Sequence, residues 1–179
     1  MKHNKLSISL LKTEDAEALL AFERVNRKYF SSTLPDRGDD YFHLENITNI
    51  IASIEEEQKR DLCYMYTVRN SDEEIVGRVN LFSVVRGDMQ SAELGYRIGE
   101  KHNRKGYGTA AAALAIREAF ETHGLHRLYA STDPANIGSQ IVLIKNRFQF
   151  TGRTPEYIQI NEKWYDSIHF SLLRKDWKK

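Results

Sequence analysis

Arg104 and Lys105, followed at once by Gly106, Tyr107 and Gly108, put two positive charges on a turn that two glycines leave open. Glycine lets the chain turn tightly and lets a ligand approach the backbone with no Cβ in the way. A helix reads directly on from the turn. Thr109 is followed by Ala110 to Ala113, Leu114, Ala115 and Ala119, and Tyr107, Ala111, Leu114 and Ala115 recur at helical spacing. The first turn of a helix carries N–H groups without carbonyl partners and the positive end of the helix dipole. Such a place holds an anion, and the basic pair suits a pyrophosphate or a ribose phosphate better than a carboxylate. The same residues could equally form a glycine-rich strand–helix connection that binds nothing. A P-loop is excluded, because no G-x-x-x-x-G-K-[ST] is present. A dinucleotide fingerprint would lack its third glycine and comes too late in the chain.

The turn needs a strand before it and a helix after it. Glu93 to Gly99 reads as the strand, with Leu94, Tyr96 and Ile98 on one face and Glu93, Gly95 and Arg97 on the other. Gly124 marks the end of the helix. Upstream, Leu6, Ile8 and Leu10 alternate with Ser7 and Ser9 as a half-buried first strand. Thr13 then reads as an N-cap with Glu14 and Asp15 in the first turn, and Ala16, Leu19, Leu20 and Val25 as an apolar stripe of a helix ending near Tyr29. Ser31 to Asp40, with Pro35 and Gly38, is a loop, and Asn46 to Lys59 returns to helical spacing through Ile47, Ile50, Ile51 and Ile54. Glu55 to Glu57 read as a solvated helix end or as an acidic lip for a cationic substrate.

Strands follow at Leu62 to Arg69 and Ile75 to Val85, joined by a turn at Asn70 to Glu73, and Arg86 to Asp88 lead into the strand ending at Ile98. Three strands meandering in sequence should be antiparallel. Leu125 to Thr132 is reached through a helix crossover, so it should run parallel to its predecessor. A shorter helix over Asn136 to Asn146 and strands at Phe148 to Arg153, Tyr157 to Asn161 and Trp164 to Leu173 complete an α/β layout with a mixed sheet.

Composition narrows the class. The 179 residues, 41% of them hydrophobic, suit one domain with a substantial core, spanning residues 1–179. With 26 Lys and Arg against 25 Asp and Glu the net charge is +1, so neither nucleic acid nor an anionic membrane is expected as a partner. Cys63 is the only cysteine, which rules out an internal disulfide and a cysteine metal cluster; it reads as a buried strand residue. The six histidines form no metal-ligand spacing, so no metal is expected, and His123 and His126 flanking Gly124 suit dipole compensation at a helix end. Met1 to Lys5 lead into a strand without the apolar stretch of a signal peptide, and no run approaches membrane-spanning length, so the expected location is cytoplasmic.

Longer stretches carry a family resemblance. Glu93-Leu-Gly-Tyr-Arg-Ile followed by Asn103-Arg-Lys-Gly106-Tyr-Gly108-Thr-Ala resembles the acetyl-CoA-binding motif Q/R-x-x-G-x-G/A of the GNAT N-acetyltransferases. Asn136-Ile-Gly-Ser139, then Val142-Leu143-Ile-Lys145-Asn146-Arg147-Phe148, looks like that family's N-x-x-S…V-L-x-K-x-G-F segment. The end, from Gly152-Arg153 through Trp164-Tyr165-Asp166 to Asp176-Trp177, is most similar to the branch of bacterial ribosomal-protein N-terminal acetyltransferases of RimJ and RimL type. The resemblance covers the second half of the chain well and the first half in general layout.

The resemblance implies a GNAT-like α/β fold, a mixed, mostly antiparallel sheet of about six or seven strands flanked by about four helices. It implies acetyl-CoA as the cofactor, with the pantetheine arm completing a broken ladder beside Gly95 to Ile98. The cofactor-binding set is then Tyr96, Arg97, Ile98, Asn103, Arg104, Lys105, Gly106, Tyr107, Gly108, Thr109, Asn136 and Ser139. The acceptor is a primary amine, either a ribosomal or other protein N-terminus or a polyamine or other small amine; a non-catalytic acyl-CoA-binding protein is the rival class, and a monomer or a homodimer is expected. Amide formation needs a proton acceptor for the amine, donors for the oxyanion and an acid for the leaving thiolate. Glu93 is the candidate base, with Glu156 or a water as alternatives. Ser139 is the candidate acid, unless it only serves helix capping around Asn136. A backbone N–H near Gly95 to Ile98 would serve the oxyanion. Tyr157, Trp164 and Tyr165 read as core or strand-pair residues. In two places the chain departs from the family pattern. Asn103 stands where Gln or Arg is usual, and Arg147 replaces the glycine before Phe148, so that turn should manage without a free αL residue.

Overall fold

Seven strands in the order β1-β2-β3-β4-β5-β7-β6 make the frame of the computed structural model, which describes residues 6–32, 34–160 and 162–177. Met1 to Lys5 and Asn161, both assigned above, lie outside the described residues. The strands are β1 (Ser7–Leu10), β2 (Tyr64–Arg69), β3 (Ile75–Val85), β4 (Ser91–Ile98), β5 (Arg127–Thr132), β6 (Gln149–Ile160) and β7 (Lys163–Leu173). Every neighbouring pair is antiparallel except β4 and β5, which run parallel as the crossover requires. The expected mixed, mostly antiparallel sheet is therefore present with seven strands. The helices are α1 (Ala16–Ser31), α2 (Leu44–Lys59), α3 (Tyr107–Arg117), α4 (Ile137–Lys145) and a single turn, α5 (Arg174–Trp177), one more than expected.

Each face of the sheet has its own core. On one, Leu94 and Ile98 of β4 and Leu128 and Ala130 of β5 meet Ala111, Ala112, Ala115 and Ile116 of α3 and Leu143 of α4. The alanines let α3 lie close to the strands, and Phe120 continues the same face in a π-helical turn, Glu118–Thr122. On the other, Leu19, Leu20, Phe22 and Phe30 of α1 meet Ile47 and Ile51 of α2. Two details of α1 differ from the sequence expectation. Val25 is 79% exposed, because the buried stripe runs through Phe22, Glu23 and Asn26 instead. Thr13 opens a 3-10 turn ahead of the helix, and its hydroxyl donates to Glu55 Oε2 (2.7 Å) rather than accepting a capping bond.

Cys63 lies one residue ahead of β2, buried, and burial pushes its thiol up to about 12. The two strands read over Phe148 to Arg153 and Tyr157 to Asn161 are replaced by one bulged strand, Gln149–Ile160, whose register shifts between Thr154 and Ile158 around Pro155. A proline is tolerated there because β6 is the sheet edge. Tyr157 and Trp164 are exposed (56% and 52%), so they are not core residues.

His123 does not compensate a helix dipole as a cation. Its ring stacks on Tyr64 (centroids 3.4 Å apart) and its Nε2 lies 2.7 Å from the Tyr66 hydroxyl, while Arg86 Nη1 donates to its carbonyl (2.7 Å). Burial, reinforced by Arg86 and opposed by Glu118 and Asp61, holds the imidazole below its usual pKa. The folded state therefore disfavours the proton that the unfolded chain takes up, so this contribution to stability is complete above the unfolded pKa near 6.5 and is lost as pH falls below it. Urea unfolding followed from pH 7.5 downward should show a falling midpoint below pH ~6.5. His123→Gln should shrink that fall, with the remainder carried by His102, whose pKa is lowered in the same sense by burial.

Candidate active site

The site begins where the sheet comes apart. β4 and β5 pair only over Ser91–Arg127, Ala92–Leu128 and Glu93–Tyr129. Beyond that, β4 stays on β3 as far as Ile98, while β5 stays on β7 as far as Thr132. The bond from Gly99 N–H to Val76 C=O (2.9 Å) sets the phase of the β3–β4 ladder. By alternation Gly95 and Arg97 turn their backbone groups to β3, and Leu94, Tyr96 and Ile98 turn theirs toward the gap. An amide-bearing ligand could complete that edge as a strand does.

The turn that leads into α3 stands past the end of β4. Arg104 (φ 58°) and Gly106 (φ 81°) both lie in the left-handed region, and the bond from Ala110 N–H to Gly106 C=O (3.0 Å) starts the helical ladder. The amides of Gly108 and Thr109 thus precede Ala110 N–H, the first intrahelical donor, as an anion site requires. Arg104 and Lys105 are exposed, Asn103 and Thr109 half-buried. Tyr107 is buried, its ring parallel to that of His102 at 5.2 Å. A Cβ at Gly108 would stand 3.3 Å from Val142 Cγ2, so this glycine also sets how closely α4 approaches α3. Asn146 fastens the same pair of helices through Nδ2 to Thr109 C=O (3.2 Å).

Asn136 is the N-cap of α4: Ser139 N–H donates to its Oδ1 (3.0 Å), which leaves the Nδ2 end of the amide for a ligand. The Ser139 side chain is separate from this cap. Its Oγ lies 3.0 Å from the Tyr96 hydroxyl, so a phenol from β4 and a hydroxyl from α4 join hands across the helix side of the gap. Burial raises the Tyr96 pKa, against the effect of the Ser139 hydrogen bond, and the phenol keeps its proton at neutral pH. Alternation in the sequence places Tyr96 on the helix face, but not its partner. Arg97 departs from the expected cofactor set, since its backbone faces β3 and its side chain turns to Glu23 (Nη1–Oε2, 3.4 Å).

On the opposite face Glu93 opens into a cavity of about 470 Å³, lined also by Met89, Tyr129, Ser131, His169 and Phe170 among others. His169 was not singled out from the sequence, because an isolated histidine in a strand carries no motif. Here its Nδ1 is 3.0 Å from Ser131 Oγ and its Nε2 2.8 Å from Thr154 Oγ1, with the Tyr157 ring edge-on at 5.4 Å. Glu156 is exposed in the β6 bulge (φ 46°), its N–H bonded to Asp166 Oδ1 (2.9 Å), and does not line that cavity. Among the described residues no group of three or more His, Cys, Asp or Glu could hold a metal, and no helix is long and apolar enough to cross a membrane.

Arg147 corrects an expectation. It occupies the αL position itself (φ 67°), and the turn closes through Arg147 N–H to Ile144 C=O (2.9 Å) and Phe148 N–H to Leu143 C=O (3.0 Å). The turn keeps its shape and the side chain bears the strain.

The family model for the acetyltransferase (GNAT) domain matches residues 5–149. A probable N-acetyltransferase of Bacillus subtilis (strain 168), YjcK, is 33% identical over 177 residues, 98% of this chain and 98% of its own length. The structure of the ribosomal-protein-S5-alanine acetyltransferase from Vibrio fischeri superposes with a TM-score of 0.92 at 26% identity, covering 100% of this chain and 98% of that one. Mycobacterium smegmatis RimJ, solved in complex with CoA-disulfide, shares the fold with a TM-score of 0.89 at 21% identity over 97% of this chain and 84% of its own.

Replacing Arg147 by glycine should relieve the αL strain for the loss of only long contacts to the carbonyls of Asp176 and Trp177 (3.4 Å each). A gain of about 1 kcal/mol, or roughly 2–4 °C in Tm, is expected in a thermal melt.

Proposed function

The chain belongs to the acetyltransferase (GNAT) family, and from that premise we propose that it moves the acetyl group of acetyl-CoA to a primary amine, foremost a protein N-terminal α-amine, by direct attack in a ternary complex. The observation that carries this is the gap between β4 and β5, with an anion cradle at one end and a carboxylate-lined cavity opening beside its start. The residues fit the donor. Gly108, Thr109, Arg104 and Lys105 would take the pyrophosphate, and the free edge at Tyr96 and Ile98 with the Asn136 amide would take the pantetheine.

Two sets of groups then stand on two faces. The amine would enter from the cavity side, where Glu93 takes its proton; a free α-amine has a pKa of about 8, so a modest base suffices. The C–N bond forms first, leaving an oxyanion whose collapse breaks the C–S bond, and the leaving sulfur takes a proton from the Ser139 hydroxyl, which is paired with the Tyr96 phenol at 3.0 Å and regains a proton from solvent. A backbone N–H on the open β4 edge would serve as the oxyanion donor. A relative's name, ribosomal-protein-S5-alanine acetyltransferase, supports a protein N-terminus as acceptor. So does the cavity lining, in which Glu93 is the one carboxylate, too little negative charge for a polyamine.

Calorimetric titration with acetyl-CoA should give micromolar binding, and Gly106→Glu, which puts a carboxylate and a Cβ at φ 81°, should abolish it. Glu93→Gln should keep that affinity and lower kcat on N-terminal peptides by about 100-fold. Binding without acetylation of any peptide or polyamine would favour a non-catalytic acyl-CoA-binding protein; absence of binding would refute the donor.

A further inference from the structure

Under α1 the sheet buries more positive than negative charge. Glu23, 2% exposed, holds Arg78 (2.8 Å, 6% exposed) and more loosely Arg97 (3.4 Å, 21% exposed). One carboxylate therefore serves two guanidinium groups. Arg97 lies over the Phe30 ring (4.9 Å) and Arg37 over the Tyr41 ring (4.5 Å). Arg27, at the same place, is already matched by Asp36 (2.8 Å) and Asp39 (2.7 Å). Among the described residues four guanidinium groups thus meet three carboxylates, and Arg37 has no carboxylate of its own. Arg97, only 21% exposed, shares its one carboxylate with Arg78, so an anion set between it and the exposed Arg37 would balance the group. Burial pulls the Arg97 guanidinium below its ordinary pKa, opposed by Glu23 and aided by Arg37 and Arg78. A small cavity of about 20 Å³, room for one oxygen-sized group, opens between Arg97, Arg37, Phe30 and Leu34.

This cluster is aligned with the reaction. Glu93 and Arg97 share one face of β4 four residues apart, about 13 Å by the rise of a strand, the span of four residues of extended chain. Between them the ring of Phe82, the cross-strand partner of Glu93, lies over Gly95. The line from Glu93 to Arg97 therefore joins a place for an amine to a cationic end across the Phe82 ring.

Resting on the acceptor class proposed above, we propose that Arg97 and Arg37, backed by Glu23 and Arg78, form a subsite for a carboxylate side chain on the acceptor chain, three to five residues from its acetylated N-terminus. The enzyme then selects N-termini by an acidic residue downstream of the amine.

The test uses the full chain, acetyl-CoA and N-terminal peptides of one sequence that carry glutamate or glutamine at each of the second to sixth positions. Glutamate at one of the third to fifth positions should lower KM by about tenfold with little change in kcat, and high salt should erode the difference. In Arg97→Gln and in Arg37→Gln the ratio of the two KM values should move toward one; Arg37 is exposed, so its variant tests the subsite even where loss of Arg97 unsettles the fold. Equal KM at every position, or a preference that survives both substitutions, overturns the subsite alone. Failure to acetylate any peptide overturns the acceptor class and the subsite with it.

Discussion

The parting of β4 from β5 after the Glu93–Tyr129 pair is the constraint on which the rest depends. Each strand is held on its far side, β4 by β3 and β5 by β7, so neither can close the gap without giving up a longer ladder. Backbone groups left open in the middle of a sheet are a liability that proteins cover or use. Here the helix side is roofed: Gly108 lets α4 settle against α3, Asn146 ties the two helices, and the Tyr96–Ser139 contact spans from β4 to α4. The other side is left as a cavity. An edge that is covered but not paired is suited to a ligand that supplies the missing amides.

Division of the chemistry between two faces follows from strand alternation. Along β4, Tyr96 faces the helices with Leu94 and Ile98, while Glu93 and Arg97 face α1 and the open cavity. A carboxylate and a protonated phenol can thus lie close along one strand without neutralising each other. The β6–β7 hairpin serves both faces: Ile168, Phe170 and Leu172 of β7 join the core under α3 and α4. It brings His169 beside Ser131, and its bulge at Pro155 to Tyr157 carries Glu156 on the exposed sheet edge.

Charge follows the same economy. The chain is nearly neutral overall, yet basic groups gather at the α3 turn and beneath α1. Local excess rather than net charge is what attracts an anion to a site, because burial strips away the solvent that would otherwise screen it. At the α2, β3 and α3 ends the opposite solution appears. Asp61, Arg86 and Tyr64 close on one another around a neutral His123, and that cluster is structural.

Much of this was legible in the residues. Apolar alternation and helical spacing located most strands and the four longer helices, the crossover rule made β5 parallel, and Gly106 and Gly108 marked the turn into α3, because these depend on neighbours a few positions away. Family motifs carried Glu93, Asn136 and Ser139. What the residues could not disclose depends on partners far apart in the chain: that Tyr96 meets Ser139, that His169 enters the cavity with Glu93, that Arg97 leaves the cofactor edge for Glu23, and that Val25 faces solvent. Arg147 shows the same limit, since local propensity disfavours αL for arginine and only the closure of α4 onto β6 imposes it. Local sequence determined the elements and the glycine turn before α3 through short-range sterics and hydrogen bonding; the tertiary packing of α1 and the β6–β7 hairpin around the open strand decided which side chains share a site.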